Sequence, residues 1–129
     1  MARGAVLMVG GLLALVAGSP ASAQESEVGR MFMRLAPEVQ MEGLQLAVRD
    51  TENRCDRPLR HFYAGPGTQG RQWWDLMCDR GVAFRIRLPG SVDDVINVMR
   101  CDVMERNAPY RCFEPVPPPA RAARPRQRS

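Results

Sequence analysis

The sequence predicts an α+β domain: an N-terminal helix packed on a small antiparallel β-sheet, two disulfides, and a disordered C-terminal tail. Three observations predict it. Residues 71–88 alternate between apolar and polar side chains, apolar residues between positions 28 and 55 recur at helical spacing, and four cysteines are spread over the region that follows.

The alternating stretch, RQWWDLMCDRGVAFRIRL, reads as a β-hairpin. With a three-residue loop at Asp79-Arg80-Gly81, Leu76 faces Phe84 and Trp74 faces Ile86. Trp74, Leu76, Cys78, Val82, Phe84, Ile86 and Leu88 then share one side, as the period of two requires. The other side collects Trp73, Asp75, Met77, Ala83, Arg85 and Arg87, with Asp75 opposite Arg85 and Trp73 opposite Arg87. A two-residue loop would set Asp75 against Ile86 and scramble both faces, because a slip of one residue moves every side chain across the sheet. Gly81 supplies the left-handed position that the longer loop needs.

Before the hairpin, Val28, Met31, Phe32 and Leu35 fall at i, i+3, i+4, i+7, one face of a short helix over residues 24–36. Pro37 suits the first position of a second helix, on which Met41, Leu44, Val48, Thr51 and Cys55 share a side. A strand through Leu44, Leu46 and Val48 is the competing reading; the length of the segment and its good helix formers favour helix. Met31, Met33 and Met41 are expected to fill the core rather than to ligate copper.

Residues 59–63 read as a first strand, and the glycine-rich residues 65–70 as the turn that follows it. That turn lacks the lysine and the Ser/Thr of a phosphate-binding loop and leads into a strand. After Pro89-Gly90, residues 92–102 read as a further strand, with Val95, Asn97, Met99 and Cys101 on one face and Ile96, Val98 and Arg100 on the other. Both faces are largely apolar, which suggests a central position or one beneath the helix. Asn107-Ala108-Pro109 marks a turn, and residues 110–114 form a short closing piece.

The two ends differ from this core. Residues 1–23 have the anatomy of a secretory signal peptide: Arg3, a small and apolar run over residues 5–17, a break at Ser19-Pro20, and Ala21-Ser22-Ala23 as a cleavage signal before Gln24. The run of 13 residues is short of the roughly 18 that span a bilayer. Residues 115–129 open with a proline run that prefers polyproline II and continue with Arg121, Arg124, Arg126 and Arg128 and no acid. This segment cannot bury enough surface to offset its ordering entropy. The domain is therefore expected to span residues 24–114. The chain carries 18 basic residues, all arginine, and 14 acids. Setting aside Arg3 and the four tail arginines leaves 13 against those 14 acids, so the folded part is near neutral and the basic character belongs to the tail.

Export gives the cysteine count meaning. An even number in an oxidising compartment implies two disulfides. Of three connectivities, Cys55–Cys78 with Cys101–Cys112 closes modest loops and leaves no thiol over.

Few residues suit catalysis. His61 is the single histidine, and no serine sits in a nucleophile elbow. The C-x-x-C and H-x-x-x-H spacings of zinc sites are absent, and Asp93-Asp94 would point to opposite faces of a strand. No catalytic residue, metal or cofactor is expected. Binding has a clearer candidate in Trp73 with Arg85 and Arg87, an aromatic and two guanidiniums on the hairpin's polar face. The tail arginines, Arg121, Arg124, Arg126 and Arg128, could add salt-dependent contacts to an anionic surface.

The pattern Trp74-x-x-x-Cys78-x-x-Gly81, followed by alternating Phe84 and Ile86, then Cys101 and Cys112-Phe113, resembles small exported disulfide-containing proteobacterial proteins of unassigned function. The resemblance covers residues 55–113 and implies scaffold, with no activity attached. The expectation is an exported, non-catalytic binding or accessory protein of the cell envelope, periplasmic or secreted, meeting a protein or an anionic envelope surface and no nucleic acid. Two alternatives stand beside it. One is a secreted inhibitor of a hydrolase such as lysozyme, presenting residues 65–70; the other is a small hydrolase built on scattered carboxylates with His61.

Overall fold

The computed structural model describes residues 26–117. Residues 1–23, expected from sequence to be a signal peptide, and Arg121, Arg124, Arg126 and Arg128 lie outside the described residues. Two helices come first, α1 (Glu27–Arg34) and α2 (Pro37–Asp50), then β1 (Pro58–Pro66), β2 (Gln72–Cys78), β3 (Ala83–Leu88) and β4 (Asn97–Arg100), and last a short helix α3 (Cys101–Asn107). The strands form one antiparallel meander in the order β1-β2-β3-β4. The α+β architecture, the sheet and both disulfides are those the sequence predicts.

The hairpin β2–β3 sets the register of everything else. Trp74 pairs with Ile86, Leu76 with Phe84, Asp75 with Arg85 and Trp73 with Arg87. The loop is the three-residue one, closed by the Cys78 N–H donating to Val82 O at 2.8 Å. Gly81 takes a positive φ of 70° as expected, and Arg80 takes one of 62° beside it, a conformation a non-glycine residue adopts at some cost. Trp74, Leu76, Cys78, Phe84, Ile86 and Leu88 are all buried on one face.

Helix α2 covers that face with Leu44, Ala47 and Val48, and Cys55 completes the cluster. Leu46 is exposed, as helical rather than alternating spacing requires. The α1 helix starts where Ser26 Oγ accepts the Gly29 N–H at 3.0 Å, an N-cap contact. It meets the sheet through Gly29, whose missing side chain leaves room for Gln72; an added Cβ would stand 2.7 Å from Gln72 Nε2. Phe32 packs edge-on against Trp74, with ring centroids 5.1 Å apart. The rest of the apolar stripe departs from expectation: Val28, Met31 and Leu35 face solvent, and so does Met33. Gly29 and Phe32, rather than the whole apolar ridge, make the contact, because glycine allows the close approach over buried Gln72. Of the three methionines expected in the core, Met41 alone packs against it.

The C-terminal third departs further. The strand expected over residues 92–102 is confined to β4, and its last residues turn into α3, where Cys101 and Met104 are buried one helical turn apart. The alternation within the strand holds, since Val98 sits opposite Ile86 on the helix-covered face and Met99 opposite Arg85 on the other. The expected central position does not, because β4 is an edge strand and Val92, Val95 and Ile96 are exposed.

The second face of the sheet is covered too, by the chain that follows α3. The Phe113 N–H donates to Asp75 Oδ2 at 2.8 Å, and Arg85 donates to Arg111 O at 3.1 Å. The Val116 N–H donates to Ala64 O at 2.7 Å, where an irregularity in pairing between Tyr63 and Gly65 lets the strap attach beside β1. Phe113 lies under the Arg60 guanidinium, 4.0 Å from its centroid. The Cys101–Cys112 disulfide ties this strap to α3, while Cys55–Cys78 ties the end of α2 to the hairpin loop. Residues 115 and 116, assigned from sequence to the tail, thus belong to the ordered strap.

Candidate functional site

The sequence singles out Trp73, Arg85 and Arg87 on the polar face of the hairpin, and the structure sends them in different directions. Arg85 is only 3% exposed and Asp75 is fully buried. They form a two-pronged ion pair, Nε to Oδ1 at 2.7 Å and an Nη to Oδ2 at 2.8 Å. Arg85 is thus a structural residue rather than a presented cation, a correction to the sequence reading. Two buried charges require every remaining hydrogen-bonding position to be filled, and the strap fills them with the Phe113 N–H and the carbonyls of Arg111 and Glu114. The guanidinium-over-ring stack expected at Trp73 is found instead at Arg60 over Phe113.

Trp73 and Arg87, paired across β2 and β3, remain half-buried at the surface. Trp73 is a partition between two hollows. On one side lies a groove of about 590 Å³ with Met99, Val103, Met104, Tyr110 and Val116 on its walls. Met99, Val103 and Tyr110 are exposed there. Its charged side chains are ion-paired, Arg85 with Asp75 and Arg100 with Asp102 at 2.9 Å, and the Asn107 amide N–H donates to Val103 O at 2.8 Å. The opening is apolar in effect.

On the other side of Trp73 lies a smaller cleft of about 190 Å³ between residues 66–68 and the strap, with Arg71 and Arg87 among its lining residues and no carboxylate. Arg71 is paired with Asp94, Nε to Oδ2 at 2.7 Å. Arg87 has its Nε buried without a hydrogen-bond partner among the described residues. Trp73 Nε1 stands at the Gly67 side of the ring, 3.0 Å from where a Gly67 Cβ would be. Val116 and Trp73 border both hollows, so groove and cleft are neighbours.

Sequence reasoning missed Met99, Val103 and Tyr110 as site residues. The signal available for Val103 was the spacing of Cys101 and Met104, which defines a helix and turns Val103 outward. Tyr110 carried no periodic signal.

Asp94 anchors the wall behind the cleft. Its carboxylate accepts from Arg71, from the Gly90 N–H at 3.1 Å and from the Val95 N–H at 3.0 Å. The Arg71 bond, followed by the Gly90 bond, holds its pKa well below the usual carboxylate range. A depressed folded pKa contributes stability that is complete above the unfolded value and is lost as pH falls through the folded one. Wild-type protein is therefore expected to lose stability relative to Asp94→Asn as the solution is acidified below pH 3.8, the unperturbed value. Parallel acid titrations of unfolding would show it, and curves that stay parallel throughout would refute the role.

His61 is placed for packing. Its ring stacks on Trp74 with centroids 5.9 Å apart, and its Nε2 lies 3.0 Å from Gln40 Oε1. Gln40 spends its amide N–H groups on Phe32 O and Met33 O, the last carbonyls of α1, so its oxygen accepts and His61 Nε2 carries the proton. Burial lowers the His61 pKa, with Glu38 opposing, and the neutral form fits that bond. Among the described residues no group of three or more His, Cys, Asp or Glu side chains could hold a metal ion, and no helix is long and apolar enough to cross a membrane.

Compared with protein-family models, with curated proteins and with solved structures, the chain matches none.

Proposed function

We propose that the chain is an exported, non-catalytic binding module of the cell envelope that holds its partner on the outer face of the sheet, over Trp73. The observation that carries this reading is the groove beside Trp73, where apolar side chains from β4, α3 and the strap converge and the lining arginines are ion-paired. A concavity of this size lined by aromatic and aliphatic groups is the usual form of a ligand site, and a half-buried tryptophan is a strong anchor for a partner. Two disulfides suit an oxidising compartment. The leader directs the chain to the periplasm or beyond, with cleavage near Ala23–Gln24, and the tail arginines would strengthen attachment to an anionic envelope surface at low salt.

Nothing comparable supports the two alternatives. Residues 65–70, the loop an inhibitor would present, fold back on themselves through the Gly67 N–H to Arg71 O at 2.8 Å. That loop also abuts Gly90, where an added Cβ would collide with Gln69 O. His61, the histidine a hydrolase would use, is held by Gln40.

The test uses the mature chain with its disulfides intact, immobilised and exposed to envelope extract. Wild type is expected to retain a component that Val103→Glu, which puts a charge on the exposed groove wall, does not. Equal retention by both would overturn the assignment of the outer face. Recovery of the chain uncleaved from the cytoplasm would overturn export.

A further inference from the structure

We propose that groove and cleft together form one site for a single-chain amphiphile, with an anionic head, carboxylate or phosphate, at Arg87 and a hydrocarbon chain along the groove. This rests on the outer face being the binding surface and adds the chemical class of the ligand.

The head group follows from charge. The other arginines that line the two hollows are ion-paired: Arg85 holds Asp75, Arg100 holds Asp102, and Arg71 holds Asp94. Arg87 is the exception among these lining arginines. It lines the cleft, and no ion pair among the described residues engages its guanidinium. The Trp73 indole nitrogen and Thr68 stand on the same cleft wall, and no carboxylate does. Donors without acceptors select an anion.

The body of the ligand follows from the groove. A peptide laid there would bring a backbone N–H and C=O at every residue to a wall made mostly of apolar side chains, and most of them would be left unpaired. An acyl chain has no such groups. Met99 and Met104 are side chains able to adapt to a flexible chain. Trp73 and Val116 line both hollows, so head site and chain site adjoin at two side chains that are themselves largely apolar.

The experiment follows tryptophan fluorescence of the mature, disulfide-bonded chain during titration with decanoate, decyl phosphate, decanol, decyltrimethylammonium, inorganic phosphate, and an apolar peptide with a free C-terminal carboxylate. The two anionic amphiphiles are expected to bind roughly ten- to a hundredfold more tightly than decanol, the range of one or two charge-assisted hydrogen bonds. Decyltrimethylammonium and phosphate alone should bind more weakly still. In Arg87→Gln the ratio of decanoate to decanol should fall to near one. That ratio is measured within each variant and so does not depend on the fraction folded; Arg87→Met serves as the second variant. Met99→Glu should weaken decanoate and decanol alike. Equal affinity of wild type for decanoate and decanol, or an unchanged ratio in both Arg87 variants, overturns the proposal. Tighter binding of the peptide than of decanoate overturns its acyl-chain half. If envelope capture depends on Val103 while these ratios are flat, the ligand class falls and the binding face stands.

Discussion

Arg85→Met is expected to cost about 3–5 kcal/mol of folding stability, the usual result of stripping one partner from a buried ion pair. That is a large share of the total for a domain of this size, on the order of 5–15 kcal/mol. The reason lies in what is left behind. Asp75 is fully buried between β1 and β3, and without the guanidinium its carboxylate keeps only the Phe113 N–H. The strap suffers as well, since the carbonyls of Arg111 and Glu114 lose their donor. Replacing both members, Asp75→Leu with Arg85→Met, should recover a substantial part of the loss, because two apolar side chains remove the uncompensated charge. Recovery should stay incomplete, as the Phe113 N–H then has no acceptor. Urea unfolding of the wild type, the single variant and the double variant measures the coupling. A loss under about 1 kcal/mol for Arg85→Met, the range of an exposed pair, would show that the pair is not sealed from water.

The same pair marks where the sequence stopped being readable. Alternation in residues 71–88 settles which side chains share a face, and the register at Trp74–Ile86 and Asp75–Arg85 followed from it. Alternation does not say what lies over each face. A charged pair beside a tryptophan on one face reads as a solvated surface, and what buries it is a segment, residues 108–117, with no period of either two or 3.6. Its course depends on Phe113 taking a left-handed φ of 62°, on a hydrogen bond to Ala64, and on a disulfide, and none of these is visible in local composition. Helix α3 was missed for a related reason. Seven residues offer barely two turns, and Met99 and Cys101, on either side of the strand's end, continued the strand's alternation. The site inherits both omissions, since Val103 and Tyr110 come from α3 and the strap. Trp73 and Arg87 were found because they belong to the hairpin.

The two disulfides should differ in how they yield, and removing the inner one should rank with the loss of Arg85. In the chain-entropy model a bridge contributes through the loop it closes. The separations here are 23 residues for Cys55–Cys78 and 11 for Cys101–Cys112, which correspond to about 3.4 and about 2.8 kcal/mol. The difference of roughly 0.6 kcal/mol is small, and surroundings decide the rest. Cys55 and Cys78 are buried in the main cluster with Leu44 and Leu76, so a Cys55→Ala, Cys78→Ala variant also loses packed sulfur. The outer bridge holds only α3 and the strap, and Cys112 is half-exposed. A reductant can therefore reach Cys101–Cys112 by local opening of the strap, whereas Cys55–Cys78 opens only when the core does. Under limiting reductant in native buffer, alkylation followed by peptide mass mapping is expected to label Cys101 and Cys112 first. The inner pair should follow only at denaturant concentrations that unfold the chain. Prior labelling of Cys55 and Cys78 would mean that the hairpin end of the sheet, and not the strap, is the weakest part of the fold.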